Sequence, residues 1–187
     1  EGGALVINDS KYAARAEVLR EKGTNRSSFF RGEVNKYGWS DLGSSFLMSD
    51  ILAAFLSAQL EKADEITLMR RVIYSRYYNE LSGLENLGLT LPCPVKDTNA
   101  HIFYLVCTSL EQRTSYIEFM KQAGVMCVSH YLSLHKSEYF KNKYSGPELT
   151  NSDRFTDCLV RLPLYPELAE EEVTHIINKT NEFFGVG

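Results

Sequence analysis

The chain has 187 residues, of which 44% are apolar and 24% charged; this is ordinary globular composition, long enough for one domain or slightly more with a real core, and it argues against disorder. A net charge of -4 and a pI near 5.6 argue against a surface built to neutralise a phosphate backbone, and so against a nucleic-acid partner. No apolar run reaches the roughly 18 residues of a bilayer span, and no charged-then-apolar leader opens the sequence, so a cytoplasmic protein without a membrane partner is expected.

Glu1-Gly2-Gly3 leads into an apolar strand candidate, Ala4 to Ile7. A strand of that kind needs neighbours on both sides, and without an initiator Met the natural sequence is expected to extend upstream. Asn8 or Asp9 is placed to cap a helix over DSKYAARAEVLREKG, which Gly23 stops. From Thr24 to Ser45 runs a polar, aromatic, glycine-containing loop of about 22 residues, a length at which loops in compact domains carry function or are disordered.

Ser49 or Asp50 then caps a helix expected to reach about Leu81, because Leu52, Phe55, Leu56, Leu60, Ala63, Ile66, Met69, Ile73, Tyr77 and Leu81 keep the 3/4 spacing. At 1.5 Å per residue such a helix spans nearly 50 Å and most simply bridges two domains. After SGLENLGL and LPCP come a strand at Ile102 to Cys107, a helix from the Ser109/Gln112 capping box to Ala123, and a buried strand at Val125 to Val128. A short helical piece near Glu138 to Lys141, a helical turn at Asp153 to Cys158, a strand at Leu159 to Leu162 and a last helix from Glu170 to Phe184 complete the chain. The second half therefore reads as helices on a short sheet. The expected division is 1–48, 49–82 and 83–187.

Cys93, Cys107, Cys127 and Cys158 form no CxxC pair and meet no histidine at zinc-finger spacing, so they read as reduced thiols, three of them in apolar runs, and no metal site is expected. His130, Tyr131 and His135 bracket HYLSLH directly after a predicted strand, where α/β folds often bind ligands; solvated or locally bonded loop histidines are the plainer alternative. Arg26, Arg31, Lys36, Tyr37 and Trp39 put cations and aromatics in the long loop. Guanidinium forks match phosphate oxygens and aromatic faces stack on a base or sugar, while a solvated surface loop explains the same composition. Gly43, Ser44 and Ser45 are small enough to let amides and hydroxyls approach a phosphate near the following helix, or they form a plain loop. His101 and His175 read as structural, and Glu170 to Glu172 as complements to a helix dipole. No GxGxxG, P-loop or GxSxG motif occurs.

Taken in order, EGGALVIND, GSSFLMSDILAAFLSAQLEKAD, HIFYLV, HYLSLH and RLPLYPELAEEEV resemble the C-terminal part of the DegT/DnrJ/EryC1/StrS sugar aminotransferases over essentially the whole chain. The resemblance implies an α/β chain forming the C-terminal part of a fold-type-I pyridoxal 5'-phosphate enzyme: the edge of the large domain, a bridging helix and a small α+β domain. It also implies a homodimer with composite active sites, with L-glutamate and a dTDP-sugar as substrates. The cofactor-bearing lysine would lie just upstream of Gly2 and Gly3, so no catalytic residue is expected here and the chain alone is expected to be inactive.

By the family pattern G-Y-N-Y-R-M-S-E, Ser45 stands where an Asn reaches the cofactor phosphate of the neighbouring subunit, with Ser44 beside it, and Leu47 replaces an Arg. His130, Tyr131 and His135 match H-Y-x-x-L-H near the sugar nucleotide, and Arg26, Arg31, Tyr37 and Trp39 match a substrate-binding loop. The competing reading is a non-catalytic ferredoxin-like module that binds a ligand or dimerises through the long helix.

Overall fold

The computed structural model describes residues 3–186, the side chain of Asp97 excepted, so Glu1 and Gly2 of the opening tripeptide lie outside the described residues. The chain divides into two compact units, Glu1–Glu61 and Lys62–Gly187.

In the first unit Ala4 to Ile7 is extended and exposed, with no ladder partner. The expected strand is not formed because a strand exists only through hydrogen bonds to a neighbour, and no described segment supplies them. Asp9 caps a 3-10 turn, Ser10–Tyr12, its carboxylate accepting from the Lys11 amide at 3.0 Å. The turn runs into helix α1 (Ala13–Arg20). The long loop contains helix α2 (Arg26–Phe30), and helix α3 (Asp50–Leu60) follows, capped by the Ser49 hydroxyl. None of α3 is buried: Ile51, Leu52, Phe55 and Leu60 stay exposed.

The expected continuous helix is broken. Helix α3 ends at Leu60 and α4 (Ala63–Leu81) starts anew after Lys62, whose φ of -105° and ψ of 7° leave the helical well. Neither Pro nor Gly marks the break; Asp64 and Glu65 in the first turn of α4 complement its free amides. An unbroken apolar stripe reports which residues want burial, not whether one rod carries them.

In the second unit α4 buries Ile73, Tyr74, Tyr77 and Leu81. A 3-10 turn, Ser82–Leu87, ends at Gly88, whose φ of 83° is one that a side chain would resist. Strand β1 (Phe103–Val106), helix α5 (Leu110–Gln122), strand β2 (Val128–Ser129), helix α6 (Thr150–Cys158), strand β3 (Leu159–Leu162) and helix α7 (Glu170–Phe184) follow. The sheet order is β1-β3-β2, all antiparallel, with Phe103 opposite Leu162, Leu105 opposite Val160, and Val128 opposite Arg161.

The second strand is shorter, later and more exposed than its apolar run implied: Val125 and Cys127 are buried outside the ladder, while Val128 and Ser129 pair. Residues 138–141 form successive turns on Ser137 rather than a helix, with Ser137 O accepting from Phe140 and Lys141. Ser109 caps α5 as expected, but Gln112 reaches one residue further back, to the Thr108 amide at 2.9 Å. At α7, Glu172 accepts from the Ala169 amide at 2.8 Å, completing the acidic start.

The core is aromatic and bonded at its polar tips, as buried phenols require. Phe103 packs edge-on to Tyr74 at 5.0 Å and tilted to Tyr77 at 5.2 Å. Tyr77 donates to Pro163 O at 2.9 Å, and Tyr116 meets Thr180 Oγ1 at 2.7 Å.

Cys107, Cys127 and Cys158 are buried and free, while Cys93 is exposed. Burial pushes the Cys107 and Cys127 thiols up to about 12 from 9.0. Below pH 9 folded and unfolded states both hold these protons; above it only the unfolded state loses them, so stability falls between about pH 9 and 12 by at most roughly 1.4 kcal/mol per pH unit for each thiol. Urea titrations at pH 8 and 10 are expected to show the lower midpoint at pH 10, with a smaller drop for Cys107→Ala. A midpoint that does not move with pH contradicts the burial of both thiols.

Candidate functional site

In the first unit, the segment from Trp39 to Phe46 is strapped along the end of α1. Leu19 O and Arg20 O, two carbonyls that a helix end leaves unpaired, accept from the amides of Ser44 and Phe46 at 3.1 Å each, and Ser44 O accepts from Lys22 N at 3.0 Å. Ser45 is thus held by backbone bonds on both sides and bridges Glu21. Gly23 O receives Ser40 N and Asp41 N at 2.7 and 3.0 Å.

The approach leaves no room for side chains: a Cβ on Gly43 would lie 2.1 Å from Gly23 N, and one on Gly23, itself at φ +72°, 1.8 Å from Asp41 O. These two glycines are required for contact, not merely for flexibility.

Ser45 lines an open cleft of about 1310 Å³ with Phe46, Leu47, Met48, the extended segment from Gly3, and the face of α1 that carries Arg15 and Arg20. Arg15 is paired with Asp41 at 3.0 Å. A serine and an arginine among the residues lining one cleft, Ser45 and Arg20, suit a phosphate group, with Glu17 a carboxylate in the same lining. Sequence reading did not single out Arg20, because nothing in its spacing relates it to Ser45. The Ser44 amide, expected to be free for an anion, is spent on Leu19 O, and the pair lies ahead of Ser49 rather than at the N-terminus of α3.

Arg26 and Arg31 of the loop are engaged with carboxylates, whereas Lys36 forms no ion pair among the described residues. Arg26 Nη1 bonds Glu21 Oε1 at 2.5 Å, and the guanidinium lies 5.0 Å from the Phe30 ring centroid. Arg31 forms a fork on Glu17 at 2.8 and 2.9 Å and also holds Glu33 at 2.7 Å. Its hydrogen bonds keep both carboxyls below their ordinary range, and they raise its own hold on its proton. Tyr37 packs against Phe29 at 5.5 Å, while Trp39, 81% exposed, donates from Nε1 to Asp41 O at 2.7 Å. Trp39 is the most exposed aromatic of this loop, with Phe30 and Tyr37 also exposed, and Arg31 needs an incoming anion to displace two carboxylates.

In the second unit, HYLSLH follows β2 and splits into two roles. His130 and Tyr131 are exposed, their rings 4.8 Å apart, with Tyr131 at 78% exposure. The His135 side chain is only 12% exposed, lies 5.4 Å from the Tyr144 ring, and puts Nε2 3.0 Å from Asp153 Oδ1. That contact is close but poorly directed, since Asp153 Oδ1 accepts no hydrogen bond among the described residues. Lys136 Nζ lies 3.0 Å from the other oxygen. Burial alone would raise the Asp153 carboxyl, but Lys136 and His135 together hold it below its ordinary value.

Ser133, buried between them, bonds Ser152 O at 3.1 Å and Thr156 Oγ1 at 2.5 Å. His135 and Ser133 therefore fasten the loop to α6, while His130 and Tyr131 are presented. His101 bonds Asn99 at 2.8 Å and His175 bonds Ala123 O at 3.0 Å, in keeping with the structural reading of both. Among the described residues no group of three metal-ligating side chains occurs, and none of their helices is long and apolar enough to cross a membrane.

Comparison with known proteins gives the framework for these residues. The DegT/DnrJ/EryC1/StrS aminotransferase family matches residues 1–181. Among solved structures, the chain is similar to the sugar aminotransferase CalS13 from Micromonospora echinospora, with TM-score 0.79 and 21% identity over 95% of this chain and 46% of that one. It is similar to PseC of Helicobacter pylori, an aminotransferase involved in the biosynthesis of pseudoaminic acid, with TM-score 0.78 and 18% identity over 97% and 48%. NtdA from Bacillus subtilis with bound cofactor PMP gives TM-score 0.77 and 21% identity over 97% and 40%. At these identities the likeness shows the fold, which is α/β as the sequence implied, and the chain spans less than half the length of each of the three.

Gly43→Ala is expected to unstrap Ser45 from α1 without touching the second unit. Hydrogen exchange should speed up by at least about tenfold at the Ser44 and Phe46 amides and stay unchanged at Leu105 and Val160. Unchanged exchange at Ser44 and Phe46 contradicts the close approach.

Proposed function

The chain belongs to the DegT/DnrJ/EryC1/StrS aminotransferase family, and from that premise we propose that it is the C-terminal part of a pyridoxal-phosphate sugar-nucleotide aminotransferase. The proposed reaction takes the amino group of L-glutamate to C4 of dTDP-4-keto-6-deoxyglucose, giving dTDP-4-amino-4,6-dideoxygalactose, a step of enterobacterial common antigen synthesis. The family match over residues 1–181 carries the reading. The cleft lining that includes Ser45 and Arg20 supports it, being suited to a phosphate.

Bound pyridoxal phosphate supplies the electron sink of the reaction. This chain's residues bind and orient. Ser45, pinned by its neighbours' amides, donates a hydroxyl hydrogen bond to the cofactor phosphate, within a homodimer whose active sites draw on both subunits. Serine is shorter than the amide it replaces, and the charge of Arg20 in the same lining compensates for the lost reach. Ser44 contributes by placing Ser45.

Trp39 and Tyr37 offer faces to a base or sugar. Arg26 and Arg31 shape the loop through Glu21, Glu17 and Glu33 and reach substrate phosphate only by exchanging those partners. His130 and Tyr131 contact the sugar nucleotide, and His135 holds them in place. The domain assignment proposed with this function is a large-domain edge and interface loop at 1–48, a linking helical segment at 49–82 and a small domain at 83–187. The lysine whose amine would hold the cofactor is proposed to lie outside these residues, so the chain alone is inactive in this account.

In a polypeptide completed to the family's length, His130→Ala is expected to raise KM for the dTDP-sugar about tenfold with Tm unchanged, a loss of binding alone. His135→Ala is expected to raise KM and lower Tm together, because it also frees the loop from α6. Unchanged KM in both variants removes HYLSLH from the substrate site.

A further inference from the structure

The sheet of the second unit has one arginine that its surroundings do not account for. Arg161 sits in the middle of β3, the central strand, and pairs across with Tyr104 on β1 and Val128 on β2. Side chains alternate along a strand, so Arg161, Tyr104 and Val128 share one face. Phe103, Leu105, Val160 and Leu162 share the other, where Phe103 meets Tyr74 and Tyr77 of α4.

Arg161 Nε is shielded from solvent and has no hydrogen-bond partner among the described residues. The ion pairs described in this unit are built on Arg76, His135, Lys136, Lys141 and Lys179 and leave Arg161 out. A guanidinium that has given up water on its inner edge without gaining a carboxylate is costly, and a fork-shaped oxyanion is the group that offsets the cost.

Tyr104, half-buried, and Val128, partly exposed, flank the position on both sides. A guanidinium fork matches an oxyanion through two parallel N–H···O bonds. His130 lies two residues beyond Val128, just past the end of β2.

We propose that Arg161 is the receptor for an oxyanion bound on this outer sheet face, either a carboxylate of the amino donor or the diphosphate of the sugar nucleotide. The assignment rests on the aminotransferase reading for the identity of the two candidate anions, but the site itself rests on the sheet geometry. No covalent step is involved; the guanidinium orients the anion through two parallel N–H···O bonds.

The test is a titration of the 187-residue chain labelled with 15N-arginine, following the Nε–Hε resonance that disappears in Arg161→Lys. Glutarate stands for the donor's carboxylates, inorganic pyrophosphate for the diphosphate, and sodium chloride of matched ionic strength for general screening. A saturable shift with glutarate or pyrophosphate, and at least about a tenfold loss of affinity in both Arg161→Lys and Arg161→Gln, supports the proposal, and the probe that saturates identifies the anion. Arg70→Gln, at a second arginine with a shielded Nε, should bind as the parent does.

A shift no larger than that produced by sodium chloride overturns the site, as does parental affinity in Arg161→Lys, which keeps the charge without the fork. Turnover by the completed polypeptide is measured separately. A response at Arg161 alongside failed transamination removes the enzymatic reading and keeps the oxyanion site; the reverse pattern removes the site alone.

Discussion

The placement of Ser45 depends on two backbones lying closer than side chains permit. Gly23 and Gly43 meet where α1 ends, and through that contact Ser44 and Phe46 reach the last carbonyls of the helix. Among the described residues of the first unit no apolar side chain is buried to do this work instead; only Glu21 and Gly23 are buried. What holds it is a strap of backbone hydrogen bonds, each worth about 1 kcal/mol net, and the carboxylates that anchor Arg26, Arg31 and Arg15. The second unit is built the other way, around interlocked aromatic side chains whose hydroxyls are satisfied by Pro163 and Thr180. Placement of the cleft residues and burial of apolar surface are thus carried by different parts of the chain.

The same division explains the exposed faces. Leu5 and Val6 on the extended opening segment, and Ile51, Leu52, Phe55 and Leu60 on α3, are apolar and uncovered. Their pattern is that of residues meant for an interior, and patches of this kind mark surfaces that another body covers. A chain that spans less than half of the aminotransferases it matches leaves such faces without their covering in the proposed arrangement.

Much of the fold was legible where a signal is local. The last helix starts and stops at the expected residues because three glutamates mark its first turn and a glycine follows its end, and the third strand is short and bounded by a helix and a proline. Signals that depend on a partner were not legible. Ala4 to Ile7 has strand composition but no neighbour, the second strand moved to where β3 offers a register, and the break at Glu61–Lys62 carries no local marker. Family spacing singled out Ser45 and HYLSLH, and composition singled out the loop cations. Neither could show that Glu17, fourteen residues from Arg31, neutralises it, or that His135 faces inward while His130 faces out. Arg20 and Arg161 were missed because each acquires meaning only from what lies beside it in space.

The account's central claim is that these residues bind and orient within an aminotransferase whose reactive amine is elsewhere. The most direct measurement is the absorbance of bound pyridoxal phosphate, together with formation of aminated sugar from L-glutamate and dTDP-4-keto-6-deoxyglucose. It is made on this chain and on a polypeptide completed to the family's length. The account predicts no bound chromophore and no product from the 187 residues alone, and both from the completed polypeptide. Amination by the 187 residues unaided, or a completed polypeptide that binds no cofactor, would contradict it.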